Sequence, residues 1–487
     1  MVLVDMRCAL EFWAVALGVA MLGLLPAGCD RANTGPRPAV MLPTASISTD
    51  RVEDDTDWSQ WRGGRAGAVS VAGDLPLSWD RNSGFHWKVA VRGRGNSSPV
   101  VLGDRLVLTS VVKENNSSCL AVFCFSRTNG TLFWTKKLDL PLGRTHAKNG
   151  YASTTAALDK NGIYCSFGAR GLYCLDWNGQ VRWHVGLSQF EQKWGAASSP
   201  VLFGNAVIQL CDGENGSFLA AWDKDSGTEL WRTTRSSTGC WATPVIVRAE
   251  VGLQKRHELI VNGSGSRTGS TGTVTAYDPR DGRIFWYARG TTDIPCPTAI
   301  AGAGFVVSTS GANGPIFSIR TGGQGNVTES QVVWRYPSGG PDVSTGVIEG
   351  KRLFLVSERG VASCYQVLTG KQIWRTRLRG DFSASLVVGN GRVYATSEQG
   401  NIYVFKAADQ FHLLATNAMR ERCLATPAVD QNAIYIRTAM HLYCIGEPLN
   451  QASPDTLVEV KQPAGSDLIA ASENGVASPI GSRLPDQ

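Results

Sequence analysis

The chain has 487 residues, with 47 Lys and Arg against 41 Asp and Glu and a formal net charge of +6. That charge is spread along the sequence, with no basic stripe interleaved with aromatics, which argues against nucleic acid as a partner. Charged residues make up only 18% and glycines number 54, the composition of a turn-rich β protein, and beyond the N terminus no run approaches the ~20 apolar residues that a membrane-spanning helix needs.

Residues 1–29 read as an export signal: Phe12 to Leu25 is an almost uninterrupted apolar run, and it ends in LPAGC. A cysteine after Ala27 and Gly28 has the form of a lipobox, in which Cys29 is acylated and becomes the mature N terminus. Pro26 stands where Leu is usual, Glu11 interrupts the start of the run and Arg7 is the only basic residue ahead of it. Ordinary signal cleavage and a retained N-terminal anchor therefore stay open as alternatives. Residues 30–57, opening with a stretch of Pro, Thr, Ser and Ala, read as a disordered linker. The expected location is the periplasmic side of a membrane, reached by export and held by a lipid anchor.

From residue 58 to 447 the chain repeats. Eleven-residue segments open on a small residue, carry Gly at the seventh position and close on Trp: CFSRTNGTLFW ending at Trp134, AWDKDSGTELW at Trp231, AYDPRDGRIFW at Trp286 and CYQVLTGKQIW at Trp374. CLDWNGQVRW, one residue shorter, ends at Trp183; a copy with the Gly-rich insertion RTGGQGNVT ends at Trp334; another puts Leu414 in place of Trp. The closing positions lie 40 to 55 residues apart, a period of solenoids and propellers. Each unit reads as four short antiparallel strands. In the third these are SSPVLF, AVIQLC, FLAAWD and ELWRT, joined at Gly204 and Asn205, around Gly213 to Gly216, and at Ser226 and Gly227.

Opening strands near Ser97, Ala152, Ser198, Ala242, Pro297, Ser344, Ser383 and Ala425 count eight units. The last supplies ATPAV, AIYIRT and HLYCIG but no outer strand, whereas FHWKVAV, with Trp87, stands alone before the first. The pattern predicts an all-β, eight-bladed propeller of four-stranded antiparallel blades, monomeric, whose last blade is completed by the N-terminal strand so that no large sheet edge stays open. Residues 448–487 read as a disordered tail. The repeat tryptophans are expected to pack between blades. Burying ~150–250 Å² at ~25 cal/mol/Å² contributes at most about 4–6 kcal/mol each.

Of the twelve cysteines, Cys124, Cys174 and Cys364 occupy the small-residue slot filled elsewhere by Ala221, Ala276 and Val404, and read as buried small hydrophobes. Cys165 and Cys174, and Cys119 and Cys124, are candidates to face each other across a hairpin, which spacing does not establish. No CxxC, HExxH or GxSxG pattern is present. Glu358 in SERG and Glu398 in SEQG read as repeat-equivalent turn residues of consecutive blades, so no catalytic residue is assigned.

The segments A-x-D-x-x-x-G-x-x-x-W resemble the tryptophan-docking repeat of the pyrroloquinoline-quinone (PQQ) propeller superfamily over almost all of the chain after Trp58. WSQWRGGRAGAVS, THAKNGYAS from Thr145 and FSAS from Phe382 are similar to secreted PQQ-like repeat proteins of planctomycete-type bacteria. The superfamily holds quinoprotein dehydrogenases and also non-catalytic members, among them the lipoprotein of the outer-membrane β-barrel assembly machinery. Dehydrogenase chemistry implies a calcium ion, carboxylate and amide ligands and, in the alcohol dehydrogenases, an adjacent Cys-Cys disulfide. This sequence has no CC pair, and its opening tetrapeptides SSPV, STTA, SSPV, ATPV, PTAI, STGV, SASL and ATPA hold no acid, so neither PQQ nor calcium is expected.

The connections between units carry the candidate partner-binding residues: Arg144, His146, Lys148 and Asn149 before blade 2, Trp194 before blade 3, Trp241 at the start of blade 4 and Arg422 before blade 8. His146 and Asn149 read equally well as turn caps, and the two tryptophans as packing. The leading expectation is a membrane-tethered scaffold for a protein partner in the cell envelope. A PQQ-dependent dehydrogenase and a polysaccharide-binding module are the alternatives.

Overall fold

A computed structural model describes residues 58–448 except 64–72, 80–83, 115–116, 140–142, 144, 189, 191 and 266–270. Cys29, Arg144, the signal, the linker and most of the tail lie outside the described residues. Eight antiparallel sheets form the eight blades of a propeller, and we number them from their innermost strands: Val100–Leu102, Ala157–Asp159, Val201–Phe203, Val245–Val251, Ile300–Gly302, Val347–Glu349, Val387–Gly389 and Ala428–Asp430. The eighth blade closes as expected. Phe85–Ala90 pairs with His441–Gly446, Trp87 lying opposite Cys444.

The grammar of the repeat has a direct physical cause. The small residue that opens a segment lies across the ladder from the Trp that closes it: Cys124 opposite Trp134, Cys174 opposite Trp183, Ala221 opposite Trp231, Ala276 opposite Trp286 and Cys364 opposite Trp374. A register shift follows each small residue, bending the strand. The indole then leans on the next blade. Trp87, Trp134, Trp183, Trp231, Trp334 and Trp374 donate from Nε1 to Arg127 O, Trp177 O, Lys224 O, Pro279 O, Val367 O and Ala408 O, at 2.6 to 3.2 Å.

The segment Gly sits under the ring from the preceding blade. At Gly227 (φ 73°) an added Cβ would stand 2.8 Å from the Trp183 ring, and at Gly282 (φ 73°) 2.5 Å from that of Trp231. Two junctions depart from this rule. Trp286 donates instead to Glu258 Oε2 (2.9 Å) in its own blade, because the insertion folds back over it: Gly325–Asn326 adds a fifth, parallel strand opposite Trp286 and Tyr287. In blade 7 it is Ala415, not Leu414, that lies opposite Val404; Leu414 is 43% exposed. The seam there is covered by residues 73–79, with Trp79 N donating to Asn417 Oδ1 (3.0 Å) and Tyr394 Oη to Pro76 O (3.0 Å).

The ten cysteines among the described residues are free thiols. Cys119 and Cys124 share one strand, Ser117–Ser126, so they do not face each other across a hairpin. Cys165 lies opposite Tyr173 and Cys174 opposite Tyr164, so those two are offset as well.

Candidate functional site at the loop face

From blade 2 to blade 8, one Ser or Thr hydroxyl at each opening is spent on the ring itself. Ser98 N donates to Thr155 Oγ1, and the pattern passes through Ser199, Thr243, Thr298, Thr345 and Ser385 to Thr426, seven bonds of 2.9 to 3.0 Å linking consecutive blades. These hydroxyls are buried and form a belt around the axis. Further along the innermost strands, residues 58–63 fill the channel. Trp58 O and Ser59 O accept from Val101 N and Leu158 N at 2.8 Å, and Arg62 donates to Thr345 O (3.2 Å), Gly346 O (2.5 Å) and Leu386 O (3.4 Å). Among the described residues no carboxylate pairs with Arg62, and burial lowers its pKa to about 9.

On the loop face the connection into blade 2 becomes a strap. Residues 145–151 bond to the connection into blade 3 through His146 N to Trp194 O (3.3 Å) and Asn149 Nδ2 to Trp194 O (2.8 Å) and Gly195 O (3.0 Å). At the other side Lys148 Nζ reaches Glu398 Oε1 of blade 7 at 2.6 Å. Blades 3 and 7 stand opposite each other in a ring of eight, so the strap crosses the mouth of the funnel.

The expected partner-binding residues thus divide. Asn149 organises the strap, its Oδ1 accepting from Gly150 N (2.8 Å), and His146 Nδ1 accepts from Lys148 N (3.2 Å), as turn caps do. Lys148 is an ion-pair partner. Trp241 is half-buried, donates to Gly195 O (2.7 Å) and stacks on Trp194 with ring centroids 5.3 Å apart, while Trp194 is 37% exposed. Arg422 is exposed and stands 3.6 Å from Glu398.

Glu398, set aside on sequence as a turn residue, is the hub that gathers Lys148, Arg422 and Ser383 (2.6 Å). Burial raises its pKa, but the hydrogen bonds from Lys148 and Ser383 and the charges of Lys148 and Arg422 outweigh burial and hold it below the ordinary carboxylate value. Its repeat partner Glu358 faces Asp342, whose pKa is raised by burial and then by Glu358, against the pull of Lys148 and His146.

The family model described as outer membrane protein assembly factor BamB matches residues 62–286, 172–331 and 325–443. The chain belongs to that family. No functionally curated protein matches it. Among solved structures, BamB from Moraxella catarrhalis is 14% identical with a TM-score of 0.53, covering 73% of this chain and 95% of that one. A europium-containing methanol dehydrogenase is 10% identical with a TM-score of 0.62, covering 81% and 98%. The quinohemoprotein alcohol dehydrogenase from Comamonas testosteroni is 13% identical with a TM-score of 0.62, covering 85% and 83%. At such identities the likeness is one of fold. No helix among the described residues of this BamB-family chain is long and apolar enough to cross a membrane.

Proposed function

We propose that the protein is a non-catalytic cell-envelope scaffold, exported and tethered through Cys29, whose loop face binds a protein partner in a role allied to outer-membrane protein assembly. The Trp194–Trp241 stack carries this reading. A large aromatic surface is held rigid by Gly195 and the strap while Trp194 stays 37% exposed, the form of an interface anchor that loses little entropy on binding. Membership of the BamB family supports the class of function.

The dehydrogenase reading that the alcohol dehydrogenase likenesses raise fits the residues less well. Glu398 is engaged by Lys148, Ser383 and Arg422, and the belt hydroxyls already accept backbone hydrogen bonds. Among the described residues no group of three or more His, Cys, Asp or Glu is placed to hold a metal ion. These donors do not fit a calcium-bound quinone.

The test is crosslinking in native envelopes followed by co-purification, comparing the parent chain with Trp194→Ala. A component of the outer-membrane assembly apparatus should be recovered with the parent and drop at least about tenfold with the variant, as for an aromatic hot spot, with an unchanged melting temperature. Unaltered recovery removes the stack as the anchor. Trp194-dependent retention on a peptidoglycan or glycan column, with no protein recovered, favours the polysaccharide-binding module instead.

A further inference from the structure

Beside the strap lies a second feature that the aromatic anchor does not use. A cleft of about 830 Å³ opens where blade 8 meets blade 1, walled on one side by the strap. Arg94, Arg422, Arg437 and His146 line it, and among the described residues no Asp or Glu does. Arg422 shares Glu398 with Lys148 on its far side, whereas neither Arg94 nor Arg437 forms an ion pair with any described carboxylate.

Arg437 is the unusual member. It is 2% exposed, and among the described residues it donates only to neutral oxygens: from Nη1 to Ser97 O, Ser97 Oγ and Thr109 O (3.3, 2.8 and 2.6 Å) and from Nη2 to Ser110 Oγ (2.6 Å). Burial lowers its pKa to about 9, with no charged group opposing. Gly95 gives it room, since an added Cβ there would stand 2.7 Å from Nη2. A buried cation without a counter-charge in the wall of an open cleft attracts an anion from solution, because an ion pair regains part of the lost solvation.

We propose that this cleft binds an acidic peptide segment, whose carboxylates meet Arg94, Arg422 and Arg437. A cavity of this size holds several side chains, well beyond one inorganic ion. Its apolar share suits protein rather than sugar: Met440, 58% exposed, and Leu424 line it, and Arg with Met is the enrichment of protein interfaces. The exposed Trp194 that a glycan would stack on is not part of its lining. The inference rests on the scaffold reading and names the chemistry of the partner that the scaffold takes.

The probe is fluorescein-labelled octaglutamate, titrated into the full chain at ~0.15 M salt, beside octaglutamine and octalysine. Octaglutamate should bind saturably and lose affinity as salt rises, and octaglutamine and octalysine should not bind. Arg94→Ala with Arg422→Ala should weaken it at least about tenfold with an unchanged melt, and Arg437→Met should weaken it further. Arg182→Ala with Arg283→Ala, outside the cleft, should leave it unchanged. Equal loss in that control pair, or no saturable binding, overturns the proposal, as does tighter binding of a sulfated or uronate glycan. If Trp194→Ala abolishes partner recovery while the cleft variants change neither recovery nor octaglutamate binding, the scaffold stands and the cleft falls. If octaglutamate binding depends on the arginines but no partner is recovered, the cleft stands and the scaffold falls.

Discussion

Trp231 joins two blades by three means at once: its indole is 8% exposed, its Nε1 donates to Pro279 O at 3.2 Å, and its ring covers the backbone of Gly282. Trp231→Ala removes all three and should destabilise by about 3–5 kcal/mol, read from the denaturant midpoint. Gly282→Ala isolates the third. Its Cβ would stand 2.5 Å from both the Trp231 ring and Thr233 Oγ1, and φ is 73°, so both overpacking and backbone strain apply, about 1–3 kcal/mol for the first. Gly350→Ala, at φ 57° with nothing within 4 Å, carries the backbone strain alone. Equal destabilisation by the two glycine variants would mean that the ring yields and the stack is soft. The eleven-residue grammar is legible in sequence because its Trp and its Gly both serve this contact, one as the ring and the other as the absent side chain beneath the ring of the blade before.

The strap is an element of a different kind, held by a single ion pair at its far end. Lys148 and Glu398 are far apart in sequence, and nothing local in THAKNG or SEQG marks them as partners. That is why Glu398 reads as a turn residue by its repeat position, and Lys148 as a candidate for binding a partner. The N-terminal WSQWRG stretch is opaque for a similar reason. It has no strand period, and its contacts are to the innermost strands of distant blades.

The ion pair gives the strap a pH dependence. A carboxylate held below its ordinary value stabilises the docked form above that value, and the stabilisation fades as pH falls through the lower one. Docking is therefore complete at neutral pH and weakens below about pH 4. Asp342, with its raised pKa, has the opposite sign. Its contribution is present in acid and is lost as pH rises through the raised value. Glu398→Gln and Lys148→Met should each increase hydrogen exchange of residues 145–151 at pH 7 and leave the global melt nearly unchanged. Protection equal to that of the parent would show that the hydrogen bonds of His146, Asn149 and Asn96, which donates to Lys148 O at 2.9 Å, hold the strap without the ion pair.

In the whole molecule the ring has one special seam, where blade 8 meets blade 1 and the two ends of the propeller meet. Seven belt bonds run round the axis, and at the eighth position Ser98 Oγ has no hydrogen-bond partner among the described residues. The seam is held by other means: Trp87 donating to Arg127 O at 2.9 Å, Arg437 reaching Ser97 and Thr109, and Arg127 paired at 2.6 Å with Asp430, both side chains fully buried. The closing strand is legible in sequence because a unit lacking an outer strand and an outer strand lacking a unit call for each other. The ion pair is not legible, since Arg127 and Asp430 sit in ordinary turn and strand-end slots of their own repeats. A buried pair is strongly destabilising to break and close to neutral to replace, because the loss comes from the charge left alone in a dry site. Asp430→Ala should therefore cost about 3–5 kcal/mol, while Arg127→Met with Asp430→Leu should recover most of it. A double variant no more stable than Asp430→Ala would show that Arg127 closes the ring through its bonds to Tyr435 and Gly103, at 3.1 and 3.2 Å, rather than through its charge.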